Sequence, residues 1–194
     1  QKGKYMVGME IGYPPFEYYA DDGSTPMGFD VLLGKEIAKR LGLEAEFIDT
    51  AWDGIFAGLD TDRYDVVMSA ATITPERVAN YDFSTPYIGN GQAIILRKDS
   101  TLNITKFEDL AGLKVGYQAE TTSDFYTKKH SAESGFTYVE NAYDKVMNAY
   151  DDLKLGRIDA VVSDSLVAVN YLSVPNTEFK QVWSAEPDEY FGVC

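Results

Sequence analysis

The strongest constraint on this chain is a repeated alternation. Short runs of consecutive apolar residues recur between segments whose apolar residues fall at helical spacing. The strand-like runs are 5–9, 45–48, 65–69, 91–97, 114–117, 136–139, 159–163 and 179–183. Several are apolar at every position, the pattern of strands buried on both faces. Helical stripes lie between them: Phe29, Leu33, Ile37 and Leu41, then Tyr143, Val146, Met147, Tyr150 and Leu153. Gly42 and Gly156 follow the stripes and read as left-handed C-terminal stops. A β-α-β-α-β order that occurs twice predicts an α/β chain with largely parallel sheets flanked by helices. The turn-rich stretch Ser84-Thr85-Pro86-Tyr87-Ile88-Gly89-Asn90-Gly91 marks the boundary between the two halves. The expected organisation is a first lobe over 1–88, a hinge at 89–92 and a second lobe over 93–188, with 189–194 returning to the first lobe as a strand.

Charge and composition narrow the function. The net charge is −14, and both halves share it: residues 1–92 hold 15 acidic and 7 basic side chains, residues 93–194 hold 16 and 10. Neither half offers a basic footprint for nucleic acid or for anionic lipid. With one histidine, His130, and one cysteine, Cys194, no Ser/His/Asp or Cys/His set can be assembled, and no internal disulfide or zinc cluster is expected. No phosphate-cradling or dinucleotide glycine pattern occurs, so neither a cofactor nor a metal is expected. No run of about 18 apolar residues marks a membrane span.

In open α/β sheets, ligands sit where strands end and loops lead into helices. Glu10 follows the first strand, with Tyr13 on the proline-stiffened loop Tyr13-Pro14-Pro15-Phe16-Glu17; Tyr13 reads either as a ligand platform or as core. Trp52, in Thr50-Ala51-Trp52-Asp53-Gly54, allows the same two readings. In Ser69-Ala70-Ala71-Thr72-Ile73-Thr74-Pro75-Glu76-Arg77, the small residues Ser69, Ala70 and Thr72 admit a ligand to the backbone. Thr74-Pro75 predicts a helix start there. Arg77 follows, with the fork geometry that suits a carboxylate; its alternative is an ion pair with Glu76 or Asp82. In Gln118-Ala119-Glu120-Thr121-Thr122-Ser123-Asp124, either threonine could cap a helix whose N-terminus attracts an anion. Asp164 ends the run Asp159-Ala160-Val161-Val162-Ser163, where it could meet an ammonium group, cap the next helix, or do both.

In this order the segments resemble the polar amino acid-binding family of periplasmic and lipoprotein solute receptors for ABC importers. The resemblance rests on Glu10 with Tyr13-Pro14-Pro15-Phe16-Glu17, Gly28-Phe29-Asp30-Val31, Trp52-Asp53-Gly54, Ile73-Thr74-Pro75-Glu76-Arg77 and Asp82-Phe83-Ser84-Thr85-Pro86-Tyr87. It continues through 109–116, Gly156-Arg157-Ile158-Asp159-Ala160 and Asp164. It implies a type II periplasmic-binding fold, two lobes joined by two crossings, binding a free amino acid rather than catalysing a reaction. It also implies that Arg77 clamps the α-carboxylate, with help from Thr72 and the backbone around Thr121 and Thr122. Asp164, with a carbonyl near Ala70, would bind the α-ammonium, Tyr13 and Trp52 would enclose the side chain, and Gln118 would line the pocket. An acid at position 10 implies a cationic ligand: arginine first, then lysine or ornithine, with cystine the near alternative. A sensor domain of a receptor and a dehydratase acting on cyclic carboxylates are the other uses of this fold that the resemblance brings. The implied partner is an ABC permease. The implied place is the periplasm or the outer face of the membrane, after removal of a signal segment and, in lipoproteins, with a lipid anchor. Family members continue past the returning strand, whereas this chain stops at Cys194. The resemblance therefore implies a first lobe lacking its last helices, for which dimerisation or strand exchange would compensate.

Overall fold

The computed structural model describes residues 3–194 and separates into two compact units, Gln1–Gly89 with Glu189–Cys194, and Asn90–Asp188. The first unit runs β1 (Lys4–Met9), β2 (Tyr18–Tyr19), β3 (Pro26–Met27), α1 (Phe29–Leu41), β4 (Glu44–Asp49), α2 (Ala57–Asp60), β5 (Val66–Val67), α3 (Pro75–Val78) and β6 (Ile88–Asn90). β1 lies between β4 and β5 and is parallel to both. Its continuous apolar sequence follows from that central place. Tyr5, Val7 and Met9 pack on one face with Val31, Ala38 and Met68, and Met6 packs on the other with Ile55, Tyr64 and Val67. Burying each such side chain stabilises the unit by about 1.5–3 kcal/mol.

Helix α1 differs from the expected stripe. Leu33 and Ile37 of that stripe pack against the core, but Phe29 and Leu41 are exposed, and the fully buried residues are Asp30, Val31, Gly34 and Ala38. The helix turns its smallest residues inward because it lies close to β4: a Cβ on Gly34 would stand 3.0 Å from the Phe47 ring. The helix ends at Gly42, whose φ of 70° lets its N–H reach the carbonyls of Ala38 and Lys39. A Cβ there would meet nothing within 4 Å, so Gly42→Ala should carry only the left-handed backbone penalty. It is expected to cost about 1–2 kcal/mol, read as a lower urea midpoint with an unchanged slope.

The end of the chain extends this sheet. Val67 and Cys194 exchange both backbone hydrogen bonds (2.8 and 3.0 Å), Gly192 N–H donates to Ala71 O and Ile73 N–H to Tyr190 O. On its other side Ser84 N–H donates to Val193 O and Tyr87 N–H to Phe191 O. Phe191 is fully buried and meets Phe16 edge-on at 5.2 Å.

The second unit runs β7 (Gln92–Arg97), a short 3-10 turn (Phe107–Leu110), β8 (Lys114–Gln118), α4 (Thr122–Ser134), β9 (Val139–Tyr143), α5 (Val146–Lys154), β10 (Ala160–Asp164), α6 (Ser165–Leu172) and β11 (Phe179–Ser184); β12 (Glu189–Phe191) then pairs with β6. The sheet order is β11-β7-β10-β8-β9. β9, β8 and β10 are parallel, and β7 runs antiparallel to both β10 and β11. The expected strand at 136–139 is displaced: Phe136 and Tyr138 pack against the core from the loop, and pairing begins at Val139. The reversed β7 places its N-terminal residues, not its C-terminal ones, beside the end of β10. Gln92 sits opposite Asp164. No helix among the described residues is long and apolar enough to cross a membrane.

Candidate functional site

In the first unit the candidate residues gather where β1 and β5 end. Glu10 immediately follows β1 and is only 2% exposed. Tyr13, also buried, begins a tight loop in which its backbone bridges to Glu17. That loop is pressed on the start of α1: Gly28, at φ 120°, lies so close to it that a Cβ would be 2.2 Å from Phe16 O. Glycine is the residue that permits this contact, and the contact carries Asp30 into the interior.

Glu17 and Asp30 are both fully buried, and the sequence reading assigned a role to neither. Ser69 Oγ donates to Glu17 Oε1 at 2.8 Å and accepts from Glu10 N–H at 3.0 Å. Asp30 Oδ2 accepts from Ala70 N–H at 2.7 Å and from Tyr87 Oη at 3.0 Å. The two carboxyl groups influence each other electrostatically, and neither Glu17 Oε2 nor Asp30 Oδ1 has a hydrogen-bond partner. Burial, and then the Asp30 charge, hold the Glu17 carboxyl well above the ordinary range; burial lifts Asp30 to about 6. The network ties together Glu10, the loop at 13–17, the first turn of α1 and the 69–70 turn. Ala70 there takes a φ of 46°, a left-handed conformation that the Asp30 bond helps to maintain.

Arg77 is held in the same unit. Thr74 caps α3, accepting from Arg77 N–H, with Pro75 in the first turn as the sequence predicts. Arg77 Nη1 donates to Thr72 O at 2.8 Å. Its guanidinium carbon lies 5.1 Å from the ring centres of both Trp52 and Phe56, and those rings meet edge-on at 5.8 Å. Trp52 therefore orients the cation whichever other role it has. The Cys194 thiol is half-buried and pushed up to about 11 by burial, the opposite of a reactive thiolate.

In the second unit β8 ends at Gln118, whose side chain donates to Asp144 O at 2.9 Å. Glu120 takes a φ of 59°, turning the chain so that Thr121 caps α4 while its hydroxyl donates to Gln118 O at 2.7 Å. Thr122 is the first helical residue, so the open N–H groups of a 13-residue helix begin here. Asp164 stands at the N-cap of α6 but makes no side-chain cap bond. Its Oδ1 instead accepts from Asn90 Nδ2 at 2.7 Å and Gln92 Nε2 at 2.9 Å. Sequence reasoning missed both amides: Asn90 lies within the turn-rich boundary itself, and Gln92 reaches Asp164 through the antiparallel pairing of β7 with β10.

The first unit thus presents a backbone-anchored guanidinium, an aromatic platform and a buried acid. The second presents an amide-held carboxylate and a helix N-terminus. These are groups for recognising charge, and among the described residues no cluster of His, Cys, Asp and Glu could hold a metal ion. The family model described as bacterial extracellular solute-binding proteins, family 3, matches residues 5–152. The L-cystine-binding protein TcyJ of Escherichia coli (strain K12) is 38% identical over 176 residues, which is 91% of this chain and 64% of that protein. The chain therefore spans just under two thirds of that relative's length. The ABC transporter arginine-binding protein 1 of the same organism is 33% identical over 97% of this chain and 74% of its own. A solved ancestral arginine-binding protein bound to arginine superposes with a TM-score of 0.90 at 39% identity, covering 99% of this chain and 84% of that one. These matches, all to binding proteins, identify the architecture as the type II periplasmic-binding fold and its place as the periplasm or the outer face of the cell membrane. The chain belongs to the bacterial extracellular solute-binding proteins, family 3.

Proposed function

We propose that this chain is the binding component of an ABC importer and captures a free L-amino acid with a cationic side chain, arginine first, then lysine or ornithine. Arg77, with Thr72, takes the α-carboxylate together with the N–H groups at Thr121 and Thr122. Asp164 and a carbonyl near Ala70 take the α-ammonium. Tyr13 and Trp52 flank the side chain, with Gln118 lining the pocket beside it. The observation that carries the reading is Glu10, a carboxylate 2% exposed at the end of β1 in the same unit as Arg77. An acid at that place favours a ligand that brings a cation to it, because a charge-assisted hydrogen bond in a dry site is strong. An ABC permease is the proposed partner that receives the ligand.

Calorimetry with the twenty amino acids, ornithine and cystine tests this. Arginine is expected to bind most tightly, and tight binding of glutamate or leucine with none of arginine or cystine would overturn the reading. Glu10→Gln should weaken arginine by about tenfold or more, the loss of one charge-assisted contact, while leaving neutral amino acids nearly unchanged. Cystine is the second reading, favoured by the 38% identity to TcyJ. Its distal ammonium offers Glu10 a cation as well, and the same titrations separate the two.

A further inference from the structure

Asn90 and Gln92 flank Gly91 where the chain enters the second unit, and both are buried. Each amide donates to the same oxygen, Asp164 Oδ1, at 2.7 and 2.9 Å. Their carbonyl oxygens are engaged in opposite directions. Asn90 Oδ1 accepts from Ser165 Oγ at 3.3 Å and from Leu166 N–H at 3.4 Å, which is the capping work an N-cap aspartate ordinarily does. Gln92 Oε1 accepts from Ser123 Oγ at 2.7 Å, and Gln92 Nε2 lies 3.4 Å from Thr122 Oγ1. Gln92 thus joins the carboxylate of Asp164 to the first turn of α4. The backbone is pinned too: Ser165 N–H donates to Gly91 O and Ala185 N–H to Gln92 O, each at 2.8 Å.

We propose that Asn90 and Gln92 are positioning residues: a neutral amide bracket that turns Asp164 away from its own helix and aims its carboxylate for a ligand ammonium. The proposal rests on the reading that Asp164 takes the α-ammonium. Its physical basis is the choice of donor. A lysine or arginine would hold a carboxylate as firmly but would bring a charge of its own, whereas two amides fix its plane without adding one. Without the bracket, two of the hydrogen bonds that hold Asp164 off the N–H groups of α6 are lost, and an aspartate at the N-cap is favoured on those groups.

The test compares arginine with 5-guanidinopentanoate, the same molecule without its α-amino group, by calorimetry on the full chain. Gln92→Met keeps the volume and removes both amide functions. It is expected to weaken arginine by about tenfold, one charge-assisted hydrogen bond, and to leave 5-guanidinopentanoate within about twofold. In an Asp164→Asn background the same substitution should have no further effect on arginine. Ser123→Ala, which loosens Gln92 without touching Asp164, should give a smaller loss of the same selectivity, and urea midpoints show that each variant is folded. Equal weakening of both ligands, or no weakening of arginine, would overturn the bracket. A parent protein that binds arginine no better than 5-guanidinopentanoate would instead remove the Asp164 reading, and the bracket with it.

Discussion

Asp30→Ala is expected to destabilise the first unit by about 3–5 kcal/mol, the range seen when one member of a buried charged network is removed. The substitution strands the Ala70 N–H and the Tyr87 hydroxyl, and it removes the charge next to the buried Glu17 carboxyl. Asp30→Asn keeps an acceptor and offers an amide to Glu17, so its expected cost is about half as large or less. Urea unfolding of the three proteins measures this, and an Asp30→Ala variant within about 1 kcal/mol of the parent would show that the network does not carry the unit.

The same pair predicts a pH dependence of definite sign. Both carboxyls have folded-state pKa values above those of an unfolded chain, so the folded protein binds the proton more tightly. The pair's contribution is complete below about pH 4 and falls as pH rises through 6 and then through the upper step of the pair, at about 1.4 kcal/mol per pH unit for each extra proton held. Exposed carboxylates such as Asp22, lowered to about 2 by its hydrogen bonds to Thr25 and Ser24, act in the opposite direction. The diagnostic quantity is therefore the difference between parent and Glu17→Gln. The variant keeps a donor and cannot titrate, and its stability is expected to fall less than the parent's between pH 5 and pH 8.

The second large effect concerns ligand. On the proposed role of Arg77 as the carboxylate clamp, Arg77→Ala should weaken the amino acid by about 3–4 kcal/mol, or a few hundredfold, the loss of two parallel charge-assisted bonds. Arg77→Lys should recover only part of this. Lysine restores the charge but lacks the flat fork that lies against Trp52 and Phe56 while one edge is held by Thr72 O. Calorimetry with arginine, set beside a urea midpoint for each variant, separates lost binding from lost folding. An alanine variant that binds arginine as the parent does would exclude Arg77 from the site.

Much of this molecule can be read from the order of its residues. The alternation of apolar runs with helical stripes determined the α/β class, because a strand buried on both faces has no position left for a polar side chain. Thr74-Pro75 determined the start of α3, and Gly42 the end of α1, since local backbone geometry admits few other residues there. The ordered motifs determined the family, and they pointed to Arg77 and Asp164 as charges at strand ends. What the tertiary structure alone decided is how those charges are held. The inward face of α1 keeps Leu33 and Ile37 but adds Gly34 and Ala38 in place of Phe29 and Leu41, because close approach to β4 requires small residues at the point of contact. Glu17 and Asp30 meet only once the 13–17 loop has folded over the first turn of α1. Gln92 reaches Asp164, 72 residues away, only because β7 runs against β10. Side-chain chemistry and local propensity are written along the chain. The raised pKa values of the buried Glu17 and Asp30 and the amides around Asp164 depend on neighbours that only the folded chain brings together.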